Sequence, residues 1–264
     1  MAPLHRLEHR QAHEDSVRCG PVDKASWLDD PAFVRRQYAT EAGLAARKAA
    51  YATAEGPDAR EVLFAAVAEA QPRRVLEVGG GEGELAERIV QELGAELVGV
   101  DQSERMVEIQ REKGLDARVG DAQHLPFAEG TFDVAVAAWM LYHVPKVDRA
   151  LAELARVLRP AGRLVAVTNS IGHLRELHEL AGRDPADAWA STFRRENGEE
   201  LLRRHFERVE RRDADGWVTF DDASLRGYAA SWDALAPLLA LPPLEQPLRA
   251  TRATSVFIAE TAAI

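Results

Sequence analysis

A short apolar segment that ends in four glycines constrains the fold of this chain more than any other feature. Residues 75–78 are Val-Leu-Glu-Val, and glycines follow at positions 79, 80, 81 and 83. Such a run predicts a buried parallel strand. The glycines predict a tight loop, because a residue without Cβ tolerates positive φ and lets a ligand approach the backbone. Apolar residues then recur at helical spacing over positions 85–93, and Gly94 is placed to end that helix.

The loop is compatible with more than one ligand. A dinucleotide fingerprint needs a third glycine at the position that Glu84 occupies, although Gly79 and Gly81 fit the pattern. Carboxylates at Glu77, Glu82 and Glu84 would repel a pyrophosphate at the helix N-terminus. They suit a ligand with cationic groups, while a purely structural glycine turn remains an alternative.

The pattern E-x-G-x-G-x-G, from Glu77 to Gly83, resembles the first motif of the class I S-adenosylmethionine (SAM)-dependent methyltransferases. The ligand of that family carries an ammonium and a sulfonium, and its product is S-adenosylhomocysteine. The resemblance implies that Glu77, Gly79, Gly80 and Gly81 belong to a SAM site.

A second candidate ligand group is Asp101, which lies 20 positions after Gly81 at the end of another apolar run. A carboxylate accepts two hydroxyl hydrogen bonds at once, so it suits the vicinal diol of a ribose. The alternative is a charge at the N-terminus of the next helix, which Ser103 is placed to cap. The resemblance implies that Gln102 and Met106 flank the adenine.

Residues 120–127, Gly-Asp-Ala-Gln-His-Leu-Pro-Phe, closely resemble a further segment of the same family. The resemblance implies that Asp121 accepts the adenine amino hydrogen and that Ala122 and Gln123 adjoin it. It also implies that Ala138 and Trp139, at the end of a fourth apolar strand, lie beside the cofactor.

The acceptor side is less specific. Tyr142 and His143 begin a Tyr-His-Val-Pro sequence that is similar to the ubiquinone/menaquinone-biosynthesis and natural-product methyltransferases. His143 is the better candidate for a general base, because an imidazole with a pKa near 6.5 is mostly neutral at pH 7. Tyr142 is a weaker candidate, and His143 can instead shape the pocket. The family places a tyrosine of a lid helix against SAM, for which Tyr38 is the candidate; packing on the core is the alternative.

Five strands alternate with helices from position 75 to about 167, in the order of the resembled family. We therefore expect an α/β, doubly wound, seven-stranded and mostly parallel sheet of the Rossmann-like methyltransferase fold. An N-terminal arm and lid helix would occupy residues 1–58 and the SAM-binding core residues 59–264. A substrate-cap insertion after strand five would span about 171–206, with helices broken at residues 182–185 and 197–198.

Composition excludes several classes. A formal net charge of −10 over 264 residues argues against nucleic acid as the main partner. No apolar run approaches the ~20 residues of a membrane span, and no apolar signal core begins the chain, so we expect a cytoplasmic protein. Cys19 is the single cysteine, which excludes an internal disulfide and a cysteine-rich zinc site, and we expect no metal. A homodimer is left open.

These patterns predict SAM-dependent methyl transfer to an O, N or C nucleophile of a small-molecule acceptor, such as a metabolite or natural product. Two alternatives stand beside this interpretation. A non-catalytic SAM-binding regulator or partner protein would carry the same cofactor motifs. A nicotinamide dehydrogenase would need the glycine that Glu84 replaces.

Overall fold

The structure is a computed structural model that describes residue 34 and residues 41–185 and 193–263. Strands and helices are numbered within these ranges. The strands are β1 Arg74–Val78, β2 Glu96–Asp101, β3 Asp116–Val119, β4 Phe132–Ala138, β5 Leu158–Asn169, β6 Arg208–Asp213, β7 Gly216–Phe220, β8 Leu248–Arg252 and β9 Thr254–Glu260.

Seven of these strands form one sheet in the order β3-β2-β1-β4-β5-β9-β6. Strands β1 to β5 pair in parallel, whereas β9 runs antiparallel to both β5 and β6. Strands β7 and β8 form a separate antiparallel pair. The sequence-based prediction of a doubly wound, mostly parallel seven-stranded sheet is confirmed.

Helices cover both faces of the sheet. Their bounds are α1 Glu41–Ala50, α2 Ala59–Glu69, α3 Glu84–Arg88, α4 Glu104–Glu112, α5 Val147–Val157, α6 Arg175–Leu180, α7 Arg195–Leu202 and α8 Asp222–Ala230. Alternate residues of each central strand point to opposite faces, so Leu76 joins one hydrophobic cluster and Val75 the other. None of the helices in the described ranges is long and apolar enough to cross a membrane.

A third hydrophobic cluster lies away from the sheet. Helices α1, α6 and α8 and the β7–β8 pair contribute its members, which include Ala50, Leu177, Phe220, Tyr228 and Ala250. The segment predicted as a substrate cap, about residues 171–206, therefore divides between two regions. Helix α6 joins this third cluster, whereas Leu202 of α7 packs in the main core against the sheet.

The sequence-based prediction of a helix break at residues 197–198 is wrong. Both residues lie in the first turn of α7, where the Asn197 side-chain oxygen accepts a hydrogen bond from the backbone N–H of Arg194 at 2.9 Å. Gly198 faces the Phe257 ring, so close packing accounts for the missing side chain. The break at residues 182–185 is confirmed, since α6 ends at Leu180 and Gly182 has φ +69°.

Gly198→Ala is expected to destabilise the protein although alanine favours helix. A Cβ at this position would lie 2.8 Å from Cε2 of Phe257 and 3.2 Å from Cζ of Phe193. Overpacking of this kind lowers the free energy of unfolding by about 1–3 kcal/mol, which denaturant unfolding measures. Gly227→Ala in α8 is the matched control, because a Cβ there meets nothing within 4 Å, and it should raise stability by up to about 1 kcal/mol. Equal effects of the two substitutions would contradict the packing argument.

Candidate cofactor site

A cleft opens at the carboxyl ends of β1, β2 and β4, where open α/β sheets bind ligands. The space within the cleft amounts to about 670 Å³, which includes open solvent. Its lining consists of Val34, Val78, Gly79, Gly81, Val100, Asp101, Gln102, Gly120, Asp121, Ala122, Gln123, Trp139, Met140, His143, Val144 and Pro145.

The structure brings together most of the site residues that the sequence suggested. Those on the lining are Gly79, Gly81, Asp101, Gln102, Asp121, Ala122, Gln123, Trp139 and His143. Those set back from it are Glu77, Gly80, Met106, Ala138 and Tyr142. Met106, for example, is buried, and its backbone N–H donates to Ser103 Oγ at 3.3 Å. Tyr38 lies outside the described residues. The contribution of each residue to ligand binding stays a prediction.

The glycine loop adopts a backbone that L side chains rarely accept. Gly79 and Gly81 have φ +70° and +55°, and Gly83, which precedes α3, has φ +78°. A Cβ at Gly79 would lie 2.7 Å from Cβ of Met140, so the loop and the segment after β4 approach each other closely. The Gly79 N–H donates to the carbonyl of Val100 at 2.8 Å. The glycines are therefore required by both backbone geometry and packing.

The Asp101 carboxylate is held in one orientation by backbone donors. Its Oδ1 accepts from the Ser103 N–H at 2.9 Å and its Oδ2 from the Gly81 N–H at 3.3 Å. Burial raises the pKa of Asp101, while hydrogen bonds from Ser103, Gly81 and Gln102 act in the opposite direction. Ser103 also caps α4, as the sequence predicted, through its own side chain.

Glu77 is a buried acid. Its Oε2 has no hydrogen-bond partner, and a Cβ at Gly80 would lie 2.4 Å from that oxygen. Burial, followed by repulsion from Asp101, raises the pKa of Glu77 to about 7. A cationic ligand group near this carboxyl would supply the missing counter-charge.

The other two acids of the loop are engaged by helix α1, which corrects the expectation that they face a ligand. The ammonium group of Lys48 lies 2.5 Å from Glu82 Oε2 and 2.7 Å from Glu84 Oε1. The preceding residue, Arg47, donates from Nη1 to the carbonyl of Ser231 at 3.2 Å. Helix α1 therefore bonds to the glycine loop through Lys48 and to the C-terminal end of α8 through Arg47.

Asp121 lies in a turn after β3 with its carboxylate on the surface. Its Oδ1 accepts from the backbone N–H of Gln123 at 2.8 Å and from the Gln123 side chain at 3.1 Å. Ala122 between them is buried. The predicted adenine contacts of this turn would need the Gln123 side chain to share or release Asp121.

Trp139 and His143 form the wall after β4. Trp139 has φ +51°, and its indole N–H donates to Oδ1 of Asn169 at 3.3 Å, which joins the carboxyl ends of β4 and β5. His143 is 8% exposed, and its backbone N–H donates to the carbonyl of Met140 at 2.9 Å. The Tyr142 ring stands edge-on to the imidazole at a centroid distance of 4.5 Å. His143 thus belongs to the lining of the cleft, and the Tyr142 ring packs against its imidazole.

Sequence reasoning missed several members of this site. Met140 closes over Gly79, and Lys48 binds the loop acids across 34 and 36 positions of chain. Neither residue belongs to a recognisable local pattern. The surplus of acids in the glycine loop calls for a cation elsewhere in the chain, which is a signal for Lys48 but not for Met140.

The charges of the cleft favour a particular ligand chemistry. Asp101 and Asp121 are acidic, and no lysine or arginine is found on the lining formed by the described residues. A pyrophosphate has no cationic partner here, whereas a ligand with cationic groups and a vicinal diol fits the donor set. Among the residues that the structure describes, no group of three or more His, Cys, Asp or Glu side chains is arranged to hold a metal ion.

Comparison with known proteins agrees with this chemistry. Residues 76–166 match the family described as a methyltransferase domain. This part of the chain, residues 76–166, is therefore a methyltransferase domain. The family and the cofactor predicted from the sequence are thus confirmed at the level of this domain.

The curated relatives match less than half of this chain. An uncharacterized methyltransferase of Mycobacterium tuberculosis (strain H37Rv) is 39% identical over 121 residues, covering 44% of this chain and 49% of that protein. The ubiquinone/menaquinone biosynthesis C-methyltransferase UbiE of Dinoroseobacter shibae is 40% identical over 110 residues, covering 38% and 44%. The chain spans about half the length of the curated relatives that it matches.

A solved structure shows the same fold. The phosphoethanolamine N-methyltransferase 2 of Haemonchus contortus, in complex with phosphomonomethylethanolamine and S-adenosylhomocysteine, aligns with a TM-score of 0.61 at 16% identity. The alignment covers 89% of this chain and 60% of that one. At this identity the likeness supports the fold alone.

The pKa of Glu77 predicts a pH-dependent stability of the ligand-free methyltransferase domain. A carboxyl group whose pKa rises from 4.5 to about 7 on folding favours the folded state below pH 4.5, and that contribution is lost as pH rises to 7. Glu77→Gln, which cannot ionise, should therefore gain on the order of 3 kcal/mol relative to wild type between pH 4.5 and pH 8. Denaturant unfolding at several pH values measures this difference. Parallel stability curves for the two proteins would rule out the assigned pKa.

Proposed function

We propose that this protein transfers the methyl group of SAM to a small-molecule acceptor and releases S-adenosylhomocysteine. The observation that carries the proposal is the acidic cleft beside the glycine loop. In this cleft, backbone N–H groups hold the buried carboxylate of Asp101 in place. The methyltransferase domain match over residues 76–166 supports it.

Each part of the cofactor has a candidate partner in the chain. The Asp101 carboxylate would accept both ribose hydroxyls, and the Glu77 carboxyl beside Gly80 would compensate the cationic amino-acid end. The turn at Asp121 would adjoin the adenine, flanked by Gln102. When bound, SAM supplies an electrophilic methyl group on a sulfonium.

The chain's own contribution to such a reaction is positioning and the exclusion of water, because the donor is intrinsically reactive. An acceptor that attacks through oxygen or carbon also has to lose a proton, whereas an amine only has to arrive neutral. His143 belongs to the lining of the cleft, and its imidazole is the candidate to take that proton. Tyr142, set against it, would keep the imidazole in place.

The cover over the acceptor is proposed to be the third hydrophobic cluster rather than residues 171–206 alone. Helices α1, α6 and α8 and the β7–β8 pair form this cluster next to the end of β5. Tyr51, after α1, extends the contact with a 2.8 Å hydrogen bond between its hydroxyl and Nε2 of His173. A small-molecule acceptor and a cytoplasmic location stay predictions from the sequence, which leaves the methylated atom open between O, N and C and leaves a homodimer open.

Calorimetric titration with SAM, S-adenosylhomocysteine and NAD tests the cofactor assignment. Both adenosyl ligands are expected to bind and NAD is not, because the lining offers a diol acceptor and no phosphate partner. Asp101→Ala should weaken S-adenosylhomocysteine binding about tenfold or more, which corresponds to about 1.4 kcal/mol. Asp116→Ala, which removes an exposed carboxylate paired with Arg118 on the same strand, β3, should leave the affinity unchanged. Binding of NAD, or of no adenosyl ligand, would refute the proposal.

Methyl incorporation from labelled SAM tests the role of His143. A panel of phenols, amines and enolisable carbonyl compounds would be screened with wild type, and the first acceptor found would be used for kinetics. If that acceptor reacts through oxygen or carbon, His143→Gln should lower kcat by about 10²-fold or more with little change in S-adenosylhomocysteine affinity. An unchanged kcat would assign His143 to pocket shape only. No incorporation across the panel, with cofactor binding intact, would favour a SAM-binding protein without transferase activity.

A further inference from the structure

A buried glutamine of helix α4 contacts the glycine loop from behind. Gln110 is 1% exposed, and its side-chain Nε2 donates to the carbonyl of Gly81 at 2.7 Å. The N–H of the same glycine donates to Asp101 Oδ2 at 3.3 Å. Gly81 is therefore held on both sides, by the glutamine through its carbonyl and by the aspartate through its N–H.

Two further glycines provide the space for this side chain. Gly99 lies within strand β2, and a Cβ there would be 2.4 Å from Gln110 Oε1. A Cβ at Gly83 would be 2.9 Å from Gln110 Cγ. A glycine inside a strand weakens it and is typical of a place where another group approaches closely. Gln110 is the group that approaches Gly99.

The placement of Gln110 lowers the stability of the fold, so stability does not explain it. The Oε1 atom of Gln110 is buried without a hydrogen-bond partner, which has a desolvation cost of about 1–3 kcal/mol. An apolar side chain of similar length would fill this space without that cost. What such a side chain cannot do is donate a hydrogen bond to the Gly81 carbonyl.

The two ends of α4 are coupled to the same loop. At its N-terminus, the backbone N–H of Ser103 donates to Asp101 Oδ1, and near its C-terminus Gln110 donates to Gly81. The Asp101 carboxylate thus sits in a closed set of contacts made by β2, α4 and the glycine loop. The orientation of the Asp101 carboxylate therefore depends on the position of the loop backbone at Gly81.

We propose that Gln110 is a positioning residue for cofactor binding, which acts through Gly81 to hold the glycine loop and the Asp101 carboxylate in place for the ribose hydroxyls. The proposal rests on the function proposed above. Gln110 is set back from the lining of the cleft, so it acts on the ligand through the loop rather than by direct contact.

Gln110→Met tests the donor, since methionine has similar length and no N–H. Val107→Ala is the matched control, because Val107 is equally buried on the same helix and its truncation lowers stability without removing a contact to Gly81. Amide hydrogen exchange of ligand-free protein is measured first. Residues 79–83 should exchange at least threefold faster in Gln110→Met than in Val107→Ala at equal global stability. Unchanged exchange in this loop would overturn the proposal.

Calorimetry with S-adenosylhomocysteine then tests the route through Asp101. Gln110→Met should raise Kd about three- to tenfold, whereas Val107→Ala should change it less than twofold. In the double variant with Asp101→Ala, Kd should be within twofold of that of Asp101→Ala alone, because the glutamine acts through the aspartate. If the two substitutions instead raised Kd independently, so that their fold-changes multiplied in the double variant, this route would be overturned. If the wild-type protein binds no S-adenosylhomocysteine, the proposed function is wrong. Faster amide exchange of residues 79–83 in Gln110→Met would then still show that Gln110 holds the glycine loop in place.

Discussion

The hydrogen bond from Gly81 to Asp101 is the contact on which the organisation of the site depends. It joins the loop after β1 to the end of β2, the two elements that would hold opposite parts of the cofactor. The loop backbone takes left-handed φ values at Gly79 and Gly81, which glycine adopts readily because it has no Cβ. Backbone donors then fix a carboxylate that burial alone would disfavour in its charged form.

The N-terminal helix α1 extends this organisation to the acceptor side. Lys48 contacts two acids of the glycine loop, and Arg47 contacts the end of α8. A partly exposed ion pair is worth little by itself. Here, however, Lys48 separates two acids that would otherwise repel each other next to an acidic cleft. Helix α1 therefore contacts both the glycine loop and the end of α8.

Several features around the glycine loop lower the stability of the folded protein. Glu77 and Gln110 each have a buried oxygen without a partner, and strand β2 contains a glycine, Gly99. Each of these features lowers the stability of the ligand-free fold, and each lies within contact of the glycine loop or of its supports. Local conflicts of this kind are expected where a sequence serves a ligand rather than its own packing.

The sequence by itself determined the order of strands and helices along the chain, the positive φ of the loop glycines and the position of Asp101. Each of these features depends on a pattern within about ten residues or on the fixed geometry of a strand-loop-helix unit. Only the tertiary structure decided that Lys48 engages Glu82 and Glu84, that Met140 closes on Gly79 and that Gln110 supports Gly81. These contacts join segments about 30 to 60 residues apart, and no local periodicity encodes them. The same reason explains α7, where the dipeptide Asn197-Gly198 has the composition of a turn. Its helical state comes from a capping contact and from the Phe257 ring, which lies on a distant strand.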